Sequence, residues 1–379
     1  MPEPIRVAHV MGKMLGGGVE QVVMNYYRNI DRSCIQFDFI VDADSPRVPT
    51  EEILDLGGRI FTVPPYQKPV LYQRELSDLF ENNGWLIVHS HINAMSVFPL
   101  HAAAKAGVPV RIAHSHSTGG SGEPIKNVIK SLLKKQANRY PTNRFACSDL
   151  AGKWLFGNGA NFEIIKNAIN LESFCFNPQI RQRARSELGI NKGTFVLGHV
   201  GRLVTQKNQE FLLEVFANIE KQMPDSRLLI VGDGPLRAKL EKRVEILNLV
   251  NKVLFLPNRS EVGSLYQAFD AFCLPSNYEG LGMVAVEAQV AGLPTYLSEH
   301  VPSEAYIAPV ARSLHLDQGP EFWAAVILEN RENKQRVGYA SAAKAKGYDI
   351  SRESVNLAVR YTSLFEAANQ SELKAALND

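Results

Sequence analysis

Short runs of consecutive apolar residues, many of them β-branched, recur along the whole chain, and most are followed by segments whose apolar residues repeat with helical spacing. Runs that are apolar at almost every position are typical of strands covered on both faces. The pattern therefore predicts parallel sheets flanked by helices. In the first half the predicted strands are Ile5–Val10, Phe37–Val41, Arg59–Val63, Trp85–Ser90, Val110–His114, Arg144–Cys147 and Glu163–Ile165, with helices at Val19–Asn29, Gln73–Glu81 and Ala94–Ala106.

The same rhythm restarts in the second half of the chain. The predicted strands there are Phe195–Val200, Arg227–Val231, Val253–Leu256, Ala271–Leu274 and Pro294–Leu297, with helices at Asn208–Lys221, Pro235–Leu247, Val262–Phe269 and Met283–Ala291. Two repeats of similar size predict an α/β protein with two doubly wound, Rossmann-like domains. Ligands of such domains bind at the carboxyl ends of the strands.

The polar segment Phe176–Lys192 contains Pro178 and Gly189, and we place the join between the domains there. The first domain is then residues 1–180 and the second 181–351, and we expect an interdomain cleft. A last helix follows within residues 352–379. Its periodicity does not decide which domain it packs against, and packing back on the first domain is one of the two arrangements.

The composition argues against a nucleic-acid-binding, a disulfide-bonded and a membrane-spanning protein. The 379 residues suit about two domains, and 41 Lys+Arg against 39 Asp+Glu leave a net charge of +2, so no overall field favours nucleic acid. The four cysteines are far apart in the sequence, which is typical of a reduced protein. Because no apolar stretch is long enough to span a bilayer and no targeting segment is recognisable, we expect a cytoplasmic protein.

Two cations stand between a predicted strand and a predicted helix, in the segment Gly201-Arg202-Leu203-Val204-Thr205-Gln206-Lys207. The N–H groups at a helix N-terminus and the charges of Arg202 and Lys207 suit a diphosphate. The alternative for this segment alone is a solvated loop.

A second segment contains two carboxylates, Glu279 and Glu287, one before a predicted helix and one inside it. Gly280 and Gly282 allow a ligand to approach the backbone where that helix begins. Glu287 lies in an apolar stretch, where a carboxylate needs a partner, and the two hydroxyls of a ribose would provide one. The alternative is a capped or ion-paired helix residue.

Together these segments resemble the retaining glycosyltransferases of glycosyltransferase family four, which have the GT-B fold. The family pattern G-R-L-x-x-x-K corresponds to Gly201 through Lys207, and E-x7-E corresponds to Glu279 and Glu287. The glycine turn after the first strand corresponds to Gly16-Gly17-Gly18-Val19-Glu20, and Gly232 to Pro235 match the family's Gly-Asp-Gly-Pro. Further segments, such as His114-Ser115-His116 and Phe145-Ala146-Cys147-Ser148, resemble bacterial exopolysaccharide and capsule glycosyltransferases.

The resemblance implies a role for each matching residue. Arg202 and Lys207 would hold the diphosphate of a nucleotide sugar and stabilise the charge that develops as it leaves. Glu287 would bind the ribose, and Glu279 would face the donor sugar. Backbone groups complete the predicted donor site, at Gly16, Gly17 and Gly18 in the first domain and at Gly282, Met283 and Val284 in the second. The resemblance implies no metal and no further cofactor.

Two His-x-His pairs, His89-Ser90-His91 and His114-Ser115-His116, follow predicted strands. Because residues two apart in a strand share a face, four imidazoles converge, which also suits a metal site. The resemblance places a histidine against the reacting sugar; His116 is our first choice and His114 the second. We expect structural roles for His89 and His91. Asp42-Ala43-Asp44 has the form of a metal-binding Asp-x-Asp motif, but we interpret it as a solvated turn.

Seven Lys or Arg residues stand against one Asp in Pro124–Lys153, and a predicted amphipathic helix at 125–139 has a cationic side. Such a helix suits either an anionic membrane surface or an ordinary packed surface. We therefore predict transfer of a hexosyl or N-acetylhexosaminyl group from a nucleotide sugar, with a UDP sugar as the expected donor, to a glycan or lipid-linked acceptor in surface polysaccharide synthesis. Peripheral contact with the inner face of the plasma membrane would suit that acceptor. The alternatives are a nucleotide-sugar epimerase of the same fold and a metal-dependent hydrolase that uses the histidine pairs.

Overall fold

The computed structural model describes residues 3–116, 133–257, 262–330 and 336–376. The chain divides into two compact units. The first comprises Met1–Ile169 together with Asp349–Asp379, and the second comprises Asn170–Tyr348.

The first unit is built on seven strands and the helices that connect them. The strands are β1 (Ile5–Gly12), β2 (Ile35–Asp42), β3 (Arg59–Val63), β4 (Ile87–Ser90), β5 (Val110–Ser115), β6 (Asn143–Ala146) and β7 (Glu163–Ile164). The helices are α1 (Gly18–Asn29), α2 (Thr50–Asp55), α3 (Pro69–Asn83), α4 (Val97–Lys105) and α5 (Asp149–Phe156), and the unit also contains the last helix of the chain, Ile350–Ala376.

All seven strands run parallel in the order β3-β2-β1-β4-β5-β6-β7, so both faces of the sheet are covered. Alternation along β1 sends Val7 to the face covered by α1 and by the C-terminal helix, and Ala8 to the face covered by α3 and α4. The C-terminal helix contributes Leu357 and Tyr361 to the first of these cores. The carboxyl ends of β1, β4 and β5 therefore lie side by side at one edge.

The second unit has six parallel strands in the order β10-β9-β8-β11-β12-β13. They are β8 (Phe195–Val200), β9 (Ser226–Val231), β10 (Val253–Leu256), β11 (Ala271–Leu274), β12 (Thr295–Ser298) and β13 (Ala311–Leu314). The helices are α6 (Pro178–Glu187), α7 (Gln209–Gln222), α8 (Arg237–Ile246), α9 (Gly263–Ala268), α10 (Met283–Val290), α11 (Gly319–Glu329) and α12 (Ala340–Ala345), after which the C-terminal helix is α13 (Ile350–Ala376). The strands and helices predicted in the two repeats are confirmed, apart from small differences at their ends.

The segment predicted as a polar join, 176–192, is instead largely helical, and the division between the units falls earlier, after Ile169. Two of its arginines belong to the packing of the second unit. Arg181 Nη2 lies 2.5 Å from Asp270 Oδ1, and Arg185, only 5% exposed, lies 3.2 Å from the other carboxylate oxygen. These two arginines therefore attach α6 to the start of β11.

In the parts of the chain that the structure describes, no helix is long and apolar enough to cross a bilayer.

Candidate functional site

The loop after β8 contains Arg202 and is held by close backbone packing against the Gly-Asp-Gly-Pro turn. A Cβ on Gly232, whose φ is +143°, would lie 2.2 Å from the carbonyl oxygen of Gly201, and one on Gly234 would lie 2.3 Å from that of Leu203. Leu203 N–H donates to Asp233 O at 3.0 Å. Glycine is therefore required in the turn because two strand-end loops touch through their backbones.

The same loop is joined to the segment after β11 by hydrogen bonds. Asn277 donates its backbone N–H to Gln206 O at 2.8 Å and its side-chain amide to Thr205 O at 2.7 Å. Gln206 Nε2 donates to Tyr278 O at 3.1 Å. The two motif-bearing segments, 72 residues apart in sequence, therefore form one continuous surface at the carboxyl edge of the second sheet.

Lys207 and Glu279 meet directly in this surface. Lys207 Nζ lies 2.7 Å from Glu279 Oε1, and Ser276 Oγ donates to the same oxygen at 2.6 Å. The two charged side chains are 14% and 5% exposed. A largely desolvated cation is thus fixed beside a largely desolvated carboxylate, a geometry in which electrostatic interactions are stronger than in water.

Glu287 lies on α10 with its carboxylate inside the unit. Tyr266 Oη donates to Glu287 Oε2 at 2.7 Å. Burial raises the pKa of Glu287 to about 7, whereas the hydroxyl of Tyr266 and the charge of Lys207 act to lower it. The effect of Lys207 on this pKa places Glu287 in the same electrostatic cluster as Lys207 and Glu279.

The helix α10 begins next to these residues. Gly282 precedes it with φ +77°, a left-handed conformation that glycine adopts without strain, and Ala285 N–H donates to Gly282 O. Met283 and Val284 stand in the first turn, where backbone N–H groups lack intrahelical acceptors. This helix start is therefore suited to an anion.

Arg202 differs from its predicted partners because its side chain is exposed. Its backbone carbonyl accepts from Gln209 Nε2 at 2.9 Å, which fixes the main chain but leaves the guanidinium outside the buried cluster. The described residues offer that guanidinium no ion pair. The structure thus brings Lys207, Glu279 and Glu287 together, and places Arg202 on the same loop facing solvent.

In the first unit the glycine turn precedes α1. Gly16 has φ +77°, Gly17 is the N-cap, and Leu15 N–H donates to Glu20 Oε1 at 2.8 Å. Glu20 also accepts from the N–H of Gly17. A Cβ on Gly18 would meet no atom within 4 Å among the described residues, so the turn is open on that side.

The histidines of the first unit form a buried cluster of five, because His9 at the end of β1 joins the four predicted ones. Two hydrogen-bonded chains cross it. In one, His89 Nδ1 lies 2.6 Å from Tyr361 Oη and His89 Nε2 lies 3.1 Å from His114 Nδ1. In the other, His91 contacts both His9 Nδ1 and His116 Nε2 at 2.9 Å.

Burial lowers the pKa of every histidine in this cluster, to about 3 for His9 and His116, so all five are neutral at pH 7. Each neutral ring carries one N–H proton. In the chain of three histidines, His9, His91 and His116, two of the three N–H groups donate the two hydrogen bonds within the chain. One terminal ring of that chain therefore presents a donor and the other an acceptor. His9 Nε2, His114 Nε2 and His116 Nδ1 have no hydrogen-bond partner among the described residues.

Ring nitrogens of His9, His89 and His91 lie within 4.8 Å of one another, as do those of His91, His114 and His116. The prediction that the four histidines of the two pairs lie close together is confirmed. Their five rings line a small cavity together with Tyr361. Sequence reasoning missed His9, although its position at the end of an apolar strand beside His89 is the same signal that identified the others.

Asp42 is not the solvated residue that we predicted. It is 2% exposed, and its two carboxylate oxygens lack hydrogen-bond partners in the described structure. Burial, with a smaller effect of Asp44, raises the pKa of Asp42 to about 6. Asp44 does face solvent and pairs with Lys13 at 2.5 Å. The expectation failed for Asp42 because the residue completes β2 instead of beginning the turn.

Most of the predicted basic helix at 125–139 lies outside the described residues. Residues 133–134 are helical, but residues 135–139 form turns, so the predicted helix does not extend to 139. Lys134 Nζ lies 4.7 Å from the centre of the Trp154 ring, and Lys153, farther along the basic segment, pairs with Asp149 at 2.5 Å.

The profile for glycosyl transferases group 1 matches residues 180–344, and the profile for the glycosyl transferase 4-like domain matches residues 17–162. A putative glycosyltransferase of Bacillus subtilis, EpsF, is 37% identical over 336 residues, covering 85% of this chain and 86% of that protein. The chain belongs to glycosyltransferase family four.

A second relative of this glycosyltransferase is the Escherichia coli UDP-Gal:alpha-D-GlcNAc-diphosphoundecaprenol alpha-1,3-galactosyltransferase. It is 28% identical over 313 residues, which cover 78% of this chain and 79% of that enzyme. Among solved structures, HepE of Anabaena in complex with UDP-glucose has a TM-score of 0.76 at 19% identity, covering 94% of this chain and 99% of that one. WaaG, a glycosyltransferase involved in lipopolysaccharide biosynthesis, has a TM-score of 0.67 at 17% identity, covering 93% of this chain and 98% of that one.

These likenesses establish the GT-B fold, and the predicted fold class and family are confirmed. The family membership identifies the chain as a glycosyltransferase. The epimerase and hydrolase alternatives are therefore set aside. Two residues next to the predicted site, Ser276 and Tyr266, were not anticipated as polar partners of Glu279 and Glu287. Ser276 stands inside the second motif segment, whereas Tyr266 looked like an ordinary core aromatic.

Proposed function

We propose that this glycosyltransferase moves a hexosyl or N-acetylhexosaminyl group, with retention of the anomeric configuration, from a UDP sugar to a glycan or lipid-linked acceptor of a surface polysaccharide. The observation that carries the proposal is the desolvated Lys207–Glu279 pair beside Glu287 at the carboxyl edge of the second sheet. An edge of this kind is where open α/β sheets bind ligands.

In this proposal Arg202 and Lys207 bind the diphosphate. Lys207 is held in place by Glu279, so little order is lost when a phosphate oxygen binds to it. Arg202 is exposed and can form two parallel hydrogen bonds to phosphate oxygens. As the sugar leaves, negative charge grows on the diphosphate, and cations fixed at that position stabilise the transition state more than the ground state.

Around these cations, the N–H groups of Gly282, Met283 and Val284 supply further donors to phosphate or sugar oxygens, and Glu287 accepts from the ribose hydroxyls. Glu279 faces the donor sugar. The cations and helix start do the work of a divalent metal, so the proposed reaction uses no metal or other cofactor.

In the first unit the proposal assigns the glycine turn Gly16–Gly18 to the donor side, since its open face allows close approach of a ligand. It assigns a ring nitrogen of His116, or secondarily of His114, to the reacting sugar. Both histidines are neutral, and each has one buried ring nitrogen without a partner among the described residues. The assignment to the sugar therefore rests on the family resemblance.

Two observations support a lipid-linked acceptor: the name of one relative and the positive charge of one segment. The E. coli relative is named for a diphosphoundecaprenol acceptor, and the segment Pro124–Lys153 is strongly cationic. A cationic amphipathic surface attracts anionic lipid. We therefore place the enzyme in the cytoplasm at the inner face of the plasma membrane.

The proposal is tested by incubating the purified chain with UDP-glucose, UDP-galactose or UDP-N-acetylglucosamine and a GlcNAc-diphosphopolyprenol acceptor. Product stereochemistry is assigned by NMR. One donor should give an α-linked product without added metal, and Arg202→Ala should lower turnover by about 100-fold or more. Arg183→Ala, an exposed arginine of the same unit paired with Glu187, is the control and should keep full turnover. Full turnover by Arg202→Ala, or consumption of donor without an acceptor, would contradict the proposal.

A further inference from the structure

Tyr266 is a buried aromatic on α9 whose hydroxyl is directed at a carboxylate. The side chain is fully buried, and Oη lies 2.7 Å from Glu287 Oε2 and 3.3 Å from Val284 O. The shorter contact is the stronger hydrogen bond because its acceptor is a carboxylate oxygen. Tyr266 therefore connects α9 to Val284 and Glu287, two of the α10 residues that the proposed function assigns to the donor.

The position of this hydroxyl is fixed by packing. The Tyr266 ring lies edge-on to Phe174 and Phe269, with centroids 5.6 and 5.7 Å away, and is tilted against Phe272 at 5.7 Å. The start of α9 is also fixed, since a Cβ on Gly263 would lie 2.2 Å from Ser173 O. Tyr266 consequently has little freedom to swing its hydroxyl away from Glu287.

The direction of the hydrogen bond follows from protonation. Burial and the charge of Glu287 raise the pKa of Tyr266 well above its ordinary value, so the hydroxyl keeps its proton and donates. Glu287 Oε2 is thereby occupied on one side, while the described residues give Oε1 no hydrogen bond. One carboxylate oxygen is anchored by protein and the other is left for a ligand.

We propose that Tyr266 is the positioning residue for nucleoside recognition: its hydroxyl anchors one oxygen of Glu287 so that the carboxylate is presented in a fixed orientation to the cis-diol of the donor's ribose. This inference rests on the proposed function of Glu287 and adds the residue that orients it. Tyr266 itself touches no substrate in this arrangement.

The first test compares Tyr266→Phe with Tyr348→Phe by calorimetric titration with UDP at pH 7.5, with GDP and ADP in parallel. Tyr348 is the matched control because it is equally buried in the same unit and its hydroxyl donates to the backbone carbonyl of Glu304 at 2.8 Å. Tyr266→Phe should weaken UDP binding by about 10-fold or more, the size expected for a lost hydrogen bond to a charged group. Tyr348→Phe should bind UDP as the unmodified chain does.

A comparison of UDP with 2′-deoxy-UDP distinguishes a loss of ribose orientation from a general loosening of the site. The unmodified chain should prefer UDP over 2′-deoxy-UDP, since the deoxynucleotide offers one hydroxyl fewer to Glu287. In Tyr266→Phe this preference should shrink, whereas a variant that merely loosened the fold would weaken both ligands equally. An unchanged preference alongside an equal loss for both nucleotides would overturn the positioning role.

The pH profile gives an independent readout. The groups that act on the Glu287 pKa are Tyr266 and Lys207, and Lys207 is itself paired with Glu279. The elements packed on α10 also carry titratable groups, namely Glu172, Cys273, Tyr296, Glu304 and Lys344. These groups are common to the variants compared, so their effects cancel in the difference. Removing the Tyr266 hydroxyl removes an influence that lowers the Glu287 pKa, so the midpoint at which UDP affinity rises with pH should shift to higher pH.

A double-mutant cycle completes the test. In a Glu287→Gln background, Tyr266→Phe should cost much less UDP affinity than it does in the unmodified chain, because both changes act through one carboxylate. If Tyr266→Phe binds UDP with unchanged affinity and pH midpoint while Glu287→Gln is impaired, the positioning role is overturned and the proposed function stands. If the unmodified chain binds none of UDP, GDP and ADP, the proposed function itself fails.

Discussion

Lys207 Nζ lies 2.7 Å from Glu279 Oε1, and Ser276 Oγ donates to the same oxygen. The ammonium group of Lys207 is therefore not a free cation waiting for phosphate. It is held by a carboxylate that is itself nearly buried, so each group requires the other for its charge to be tolerated. In the proposed reaction, the arriving diphosphate shares Lys207 with Glu279, and the donor sugar comes to lie against that carboxylate.

Removing one member of this pair should cost stability as well as activity. Lys207→Met leaves Glu279 buried without its cation, and we expect the free energy of unfolding to fall by about 3–5 kcal/mol. The double variant Lys207→Met/Glu279→Leu should recover much of that stability in urea unfolding, yet remain inactive. Lys239→Met is the control, since its ion pair with Glu210 is exposed and should contribute about 0.5 kcal/mol or less. An active double variant would contradict a role for the pair in donor binding.

The backbone contact between the two strand-end loops predicts a second effect. Gly234→Ala would place a Cβ 2.3 Å from Leu203 O and so displace the loop that carries Arg202. We expect a loss of about 2 kcal/mol in unfolding free energy and weaker UDP binding. Gly193→Ala is the matched control because no described atom lies within 4 Å of the added Cβ. Equal melting temperatures and UDP affinities for the two variants would contradict this view of the loop.

Much of the architecture was predictable because strands buried on both faces leave unbroken apolar runs in the sequence. β13 was missed since it is an edge strand in which Leu314 alone is buried. Helix α6 was taken for a linker because the segment is polar and contains Pro178 and Gly189, although Arg185 is buried against Asp270. Burial of a cation depends on a partner more than 80 residues away, which periodicity does not reveal.

For the site, motif spacing identified Lys207, Glu279 and Glu287, but not how they are paired. The ion pair joins residues 72 positions apart, and the Tyr266–Glu287 bond joins two helices. In the sequence Tyr266 could not be distinguished from a core aromatic, because its ring does pack in the core. Only its hydroxyl has a further role, as the donor to Glu287. Local sequence indicates which side chains are present, whereas their hydrogen bonds depend on how the loops meet.

The buried carboxylate of Asp42 should make stability depend on pH. Its pKa is 3.8 when exposed and about 6 in the folded chain, so the folded state holds the proton more tightly between these values. The contribution of Asp42 to the free energy of unfolding therefore falls as pH rises from about 4 to about 6. Asp42→Asn should stabilise the chain by about 1–2 kcal/mol at pH 8 and by much less at pH 4. Asp44→Asn removes only the smaller influence on the Asp42 pKa, so it should change the pH trend much less than Asp42→Asn does in thermal unfolding.

For the histidine cluster we expect the opposite pH dependence: the free energy of unfolding should rise as pH rises. Five buried histidines are neutral in the folded chain, with pKa values of about 3 for His9 and His116, whereas in the unfolded chain each titrates near 6.5. Between these values the unfolded state binds more protons, so stability is lost as pH falls below about 6.5. Each such histidine contributes about 1.4 kcal/mol per pH unit in that range. The first unit should therefore unfold in mild acid.

Urea unfolding between pH 7.5 and 5.0, with proton uptake taken from the slope of unfolding free energy against pH, measures this directly. His89→Gln should reduce the uptake by about one proton, because glutamine does not titrate and can still hydrogen-bond Tyr361 and His114. His300→Gln, an exposed histidine of the second unit, should leave the slope unchanged. A slope that His89→Gln does not alter would mean that the cluster takes up protons without unfolding, which requires its rings to be reached by solvent in the folded state.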